Sequence, residues 1–410
     1  MRLLRLLIGL WVLTNASALE VDLIQLLRQL QSVVQPQRAL RRVEELYAIE
    51  RWFTFSKFHE ASRYLAREAR RAGFKDVEVR GAPADGVTQV GYWTLPLAWE
   101  VSEARLEVIE PPAPEEFRVL CDYRKVPQSL CMWSGPTPPG GLVAEVVEVS
   151  DDKGSLTSRG LRGKVAFTRR NPSPIKWELA RSGVVGVISG YTENPELVDG
   201  HHWVNAWGDK GWGFTRGDTP LFCFSLAPKQ ATWLQRQLAT GQKVKVRALV
   251  DSRYFKGTYP YLTAVLPGVP GREEVLALAH TAEPGAQDNA TGVAAMFEAA
   301  QALQELITTG QLPKPRRSIR VLAMPEIYGS LHYLETHRER IRRTVAAICL
   351  DTPAARYELP GTEYTFYLNP HASASYVDAL VLEIARRYFG NLDPPRRFFE
   401  RPYRMGTDNY

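Results

Sequence analysis

The chain has 410 residues, 45% of them hydrophobic and 23% charged, with no low-complexity tract or internal repeat. That balance excludes a disordered or fibrous protein, and the length allows two domains with substantial cores. The net charge of +6 comes from arginines scattered over helix faces, such as Arg67, Arg70, Arg71, Arg338, Arg340, Arg342 and Arg343. No stretch interleaves basic with aromatic residues, so no nucleic-acid partner is expected.

Residues 1–18 have the pattern of a secretory signal: Arg2 and Arg5, the apolar run Leu6 to Leu13, then Ala16-Ser17-Ala18 as a cleavage site. The apolar core is too short to span a bilayer comfortably. The expected mature protein is soluble, secreted or periplasmic, with cleavage after Ala18 and no stable membrane span. An exported chain permits disulfides among Cys121, Cys131, Cys223 and Cys349. Cys121 and Cys131 are close enough in sequence to close a small loop, whereas Cys349 lies in an apolar strand and reads as buried and free.

Residues 19–94 form an amino-terminal, mostly helical part. Phe58, Ala61, Leu65, Ala69 and Ala72 share one helix face, Gly73 is placed as a helix stop, and the short strand DVEV follows. Residues 95–255 differ, with short β-like runs broken by proline and glycine. Within them, residues 161–190 read as a Gly-Lys-Val strand, a helix and a Gly-Val-Ile strand. His201, His202, Trp203, Trp207, Trp212 and Phe214 follow in a glycine-containing stretch. The rings read as a plug for that region's own core, with a lid over a cleft as the alternative.

Residues 256–410 carry the chemistry. EVLAL (274–278) is an apolar strand, His280 and Asp288 lie in the loop after it, and Val293, Met296, Phe297, Ala300, Leu303 and Ile307 recur at helical spacing. SIRVLAM (318–324) is a second strand, followed by Pro325-Glu326, and VAAICL (345–350) a third, followed by Asp351. In an open α/β sheet the crevice outside the carboxyl ends of the strands takes the ligand. Imidazole with carboxylates is a zinc-binding donor set, so His280, Asp288, Glu326 and Asp351 are candidate metal ligands. His332 and His337 read as helix-surface residues, and His371 as a loop histidine. Asn289-Ala-Thr291 matches a glycosylation acceptor pattern but falls inside the proposed metal loop, so Asn289 reads as part of that loop.

The motif GAxDNxxG, here Gly285-Ala-Gln-Asp288-Asn289-Ala-Thr-Gly292, resembles that of the co-catalytic two-zinc aminopeptidases. Their relatives include glutamate carboxypeptidases, glutaminyl cyclases and the transferrin receptor ectodomain. The resemblance covers roughly residues 255–410. It implies an α/β fold with a mostly parallel, doubly wound sheet flanked by helices. It also implies two zinc ions held by His280, Asp288, Glu326 and Asp351, with Asp288 bridging, and hydrolysis of a peptide or small aminoacyl substrate through a metal-bridged hydroxide. Residues 161–190 resemble a protease-associated domain, a common insertion in this family.

Three departures stand out. The family's general-base glutamate is replaced by Pro325, which cannot transfer a proton; Glu283 is a candidate substitute, and Glu326 keeps a catalytic as well as a ligating assignment. Ala282 stands where an aspartate usually orients the histidine. The segment Arg404-Met-Gly-Thr-Asp408-Asn409-Tyr410 resembles the family's Ser-Asp-His or Ser-Asp-Tyr segment, and the final histidine ligand is expected beyond residue 410, in a longer chain. The alternatives are an inactive receptor-like or binding module on the same fold, or an acyltransferase of the glutaminyl-cyclase kind.

Overall fold

The computed structural model of the chain describes residues 23, 25–149, 159–271, 273–354, 363–403 and 408. The expected signal segment and most of the 404–410 segment lie outside the described residues. The chain separates into two compact units. One holds the described residues up to Ala48, with Ala61–Arg80 and Tyr261–Tyr410; the other holds Ile49–Glu60 and Gly81–Pro260.

Two helices open the described chain's named elements, α1 (Pro36–Glu50) and α2 (Phe55–Arg71). Along α2, Phe55, Phe58, Ala61, Leu65 and Ala69 are all buried, as their three- and four-residue spacing requires. The helix stops where expected: Gly73 takes φ +82°, Gly73 N donates to Arg70 O and Phe74 N to Ala69 O, which satisfies the last carbonyls in a Schellman motif. The following strand β1 (Lys75–Ala84) is longer than DVEV alone suggests.

The second unit is built on a seven-stranded sheet. Its strands are β2 (Ala98–Glu110), β3 (Val119–Asp122), β4 (Leu142–Glu148), β5 (Val165–Thr168), β6 (Gly186–Ser189), β7 (Phe222–Ser225) and β8 (Val244–Phe255), in the spatial order β3-β2-β8-β4-β5-β6-β7. β2, β3, β4 and β8 pair antiparallel, whereas β4 to β7 run parallel. The sequence-read strand, helix and strand are β5, α3 (Lys176–Ser182) and β6.

Trp207 is fully buried and donates to Leu221 O at 2.7 Å, so this ring belongs to the core of its unit. Lys176, also fully buried, pairs with Asp209 at 2.7 Å and lies over the rings of Trp207 and Phe214. The expected Cys121–Cys131 loop closure is not formed, and none of the four cysteines is in a disulfide. Cys131 instead faces Cys223, donating its backbone N–H to Cys223 O at 2.9 Å, while Cys121 Sγ points to Ser225 O. Backbone pairing, which no local spacing reveals, decides that arrangement.

The first unit carries a five-stranded mixed sheet. It joins β1 to β9 (Gly257–Leu266), β10 (Glu274–Thr281), β11 (Ser318–Pro325) and β12 (Thr344–Cys349), in the order β1-β9-β11-β10-β12. β9 is antiparallel to β11; β11, β10 and β12 are parallel. Helix α4 (Ala290–Thr308) buries Val293, Met296, Phe297, Ala300 and Leu306, each large apolar side chain contributing about 1.5–3 kcal/mol. Cys349 is only half-buried, because β12 is an edge strand of the described sheet. Helix α5 (Tyr328–Thr336) follows β11, and α6 (Tyr376–Gly390) lies further on. The two histidines after β11 are less peripheral than expected: His337 stacks on Tyr333 at 4.4 Å, and His332 packs near Tyr261. Among the described residues no helix is long and apolar enough to cross a membrane.

Candidate metal centre

Register alone brings the candidate ligands together. In the parallel trio, Thr281 lies opposite Pro325 and Leu278 opposite Cys349. His280 is therefore the penultimate residue of β10, Glu326 follows β11 directly, and Asp351 follows β12 by two residues, all on one rim of the sheet. The ligand atoms of His280, Glu283 and Asp288 lie within 4.8 Å of one another, as do those of His280, Glu326 and Asp351. His280 Nε2 is 3.4 Å from Asp288 Oδ1 and 3.5 Å from Asp351 Oδ1. His371 is exposed and His201 bonds Ser225 O; neither belongs to these groups.

The motif residues hold this geometry. Asn289 is 2% exposed, caps α4 by accepting from Gly292 N at 3.0 Å, accepts again from Thr352 N at 3.1 Å, and donates to Leu350 O at 3.0 Å. One amide thereby ties the loop bearing Asp288 to the loop bearing Asp351. A glycan has no access to a side chain so enclosed. The glycines are required by close approach: a Cβ at Gly285 would strike the Asp288 carbonyl, and one at Gly292 would strike Asn289 Oδ1 and Leu350 O. Asn289→Ala is expected to weaken zinc binding about 10- to 100-fold, as loss of a residue that orients ligands does, read by competition against a zinc chelator.

Each of the three loops also stores backbone strain. Ala282, Ile327 and Thr352 have positive φ of 71°, 60° and 47°, beside His280, Glu326 and Asp351 respectively. Ile327, with ψ −56°, sits at the centre of a γ-turn closed by Tyr328 N donating to Glu326 O at 2.6 Å. Asp408 secures that turn: its Oδ1 accepts from Ile327 N and from Ser330 Oγ, both at 2.7 Å. In sequence, Asp408 falls in the segment that resembles the family's Ser-Asp-His or Ser-Asp-Tyr segment, and nothing there assigns it a role in the site. No local signal connects residues 81 positions apart.

The electrostatics call for a cation. His280 is 1% exposed and neither ring nitrogen makes a hydrogen bond; at 3.5 Å the Asp351 contact is an ion-pair distance. Burial favours the neutral imidazole, but Asp351, Glu283, Asp408 and Glu326 outweigh it and hold the ring's pKa well up. Burial and mutual repulsion push the carboxyls up as well, Glu326 to about 7. A buried ring whose nitrogens make no hydrogen bond, set among crowded carboxylates, fits the donor chemistry of zinc, and a bound cation would replace the protons the cluster otherwise gathers.

The model of Peptidase family M28 matches residues 262–408. No curated protein matches the chain. Among solved structures, a Peptidase M28 precursor from Shewanella amazonensis is 18% identical, with 95% of this chain and 84% of that one covered at TM-score 0.66. BSAP, a zinc aminopeptidase from Bacillus subtilis, is 15% identical, with 92% and 81% covered at TM-score 0.60. The family match over residues 262–408, the likeness of fold and the converging strand ends agree with one another, and together they are consistent with the family of the co-catalytic zinc aminopeptidases.

Proposed function

We propose that this protein is an exported zinc aminopeptidase, removing amino-terminal residues from peptides, with a protease-associated-like insert at residues 95–255. The carrying observation is the convergence of His280, Asp288, Glu326 and Asp351 around an imidazole without hydrogen bonds. These four residues would hold the metal. Zinc there would supply a Lewis acid for the scissile carbonyl and make water acidic enough to react near neutral pH. Glu283, inside the same cluster, would accept the water's proton and return it to the leaving amine, the task that Pro325 cannot perform. The strand, helix and strand β5-α3-β6 support the insert's assignment, and the Bacillus aminopeptidase, similar in fold, supports the substrate class.

Elemental analysis of the protein is expected to give near two zinc ions per chain, lost in Asp288→Ala. No bound metal in the wild type would sink the enzyme reading and leave the receptor-like module, which Pro325 favours. Product analysis separates the cyclase alternative, which would yield cyclised rather than shortened peptides.

A further inference from the structure

The first unit holds a cavity, lined mainly by charged residues, that includes none of the candidate metal ligands. It has a volume of about 520 Å³, lies between α1 and α2, and is closed on one side by Gln301 of α4. Ligand sites commonly fall in this size range. Positions 38, 41, 42 and 45 on α1, and 64, 67, 68 and 71 on α2, follow the three- and four-residue spacing that puts side chains on one helix face. Five of these eight are arginines, against only Glu45 and Glu68.

The arginines are not all spoken for. Arg38 is committed to Glu298 and Glu305. Arg42 is 2% exposed, shares Glu68 at 3.5 Å and Glu298 at 3.6 Å, and leaves its buried Nε and Nη1 without a hydrogen bond. Arg41 and Arg67 make no ion pair among the described residues; Arg67 lies 6.0 Å over the Tyr64 ring. Tyr64, its pKa pushed up to about 12 by burial and by Glu68, keeps its proton and can donate. Converging guanidinium groups repel one another, and a planar fork of N–H donors matches the oxygens of phosphate and related groups.

We propose that this cavity binds a dianionic oxyanion of the phosphate-monoester class, with Arg41, Arg42 and Arg67 as its principal donors. The volume exceeds that of a lone phosphate, leaving room for the organic part of an ester. The site is separate from the metal residues and does not depend on the reading of their activity.

The test is calorimetric titration of the full chain with glycerol 2-phosphate in about 150 mM KCl, where diffuse surface charge is screened. The expected result is saturable binding, weakened at least tenfold in Arg41→Ala/Arg67→Ala and several-fold in Arg41→Lys/Arg67→Lys, which keeps the charge but not the fork. Asp288→Ala should bind as the wild type does, separating this site from a phosphate held at the metal centre. Absence of binding heat, equal affinity in the wild type and the double alanine variant, or loss of binding in Asp288→Ala would each overturn the proposal. Unchanged thermal midpoints of the variants exclude misfolding as the cause of any loss.

Discussion

Glu283→Gln is expected to keep its zinc and lose about 10²- to 10⁴-fold in kcat, the usual contribution of a positioned general base. The substitution preserves size and hydrogen bonding while removing the carboxylate's capacity to accept a proton. Glu283 is three residues beyond His280, and its carboxyl lies within 4.8 Å of the ligand atoms of both His280 and Asp288. At that distance it could serve either as ligand or as base, and the two roles separate experimentally. A ligand lost to glutamine lowers the zinc content; a base lost to glutamine leaves zinc and KM nearly unchanged and depresses kcat. Glu326→Gln should fall on the other side of that division, losing zinc first. Full activity in Glu283→Gln would assign the proton transfer elsewhere and return attention to Glu326.

The legibility of this site follows from what a sequence encodes locally. A strand ending in a potential ligand is a local pattern, and three such strands brought into parallel register put His280, Glu326 and Asp351 on one rim. Helix periodicity likewise foretold the buried face of α2 and much of that of α4, where Leu303 and Ile307 are only partly buried and Leu306 is buried instead, and Gly73 marked the end of α2. Long-range contacts were not legible. The Asp408 bond to Ile327 N joins positions without any shared motif, and the role of Asn289 as a brace depends on Leu350 and Thr352 arriving beside it. The facing of Cys131 and Cys223 arises from backbone pairing across about ninety residues of intervening chain, where loop closure leaves no compositional trace. Lys176 gives no hint in sequence that it is fully buried.

That buried lysine leads to the largest expected stability effect. Lys176→Ala is expected to cost about 3–5 kcal/mol, since it leaves the Asp209 carboxylate, 8% exposed, without its cation. Lys176→Met fills the same space beside Trp207 and Phe214, but it too strands Asp209. Lys176→Met combined with Asp209→Asn should recover much of the loss, because charge and counter-charge disappear together and Asn still accepts from Thr219 N and Oγ1. The pair also predicts a pH dependence. Burial opposes ionisation of Asp209, but hydrogen bonds from Lys176 and Thr219 outweigh it and hold its pKa below the ordinary carboxylate value. A carboxyl depressed in the folded state stabilises fully above its unfolded value of about 3.9, and that contribution is lost as pH falls through the folded value. Urea midpoints taken from pH 6 downward should therefore fall more steeply below about pH 4 for the wild type than for the double variant. Parallel slopes would show that the pair contributes nothing to acid stability, whatever its cost when broken.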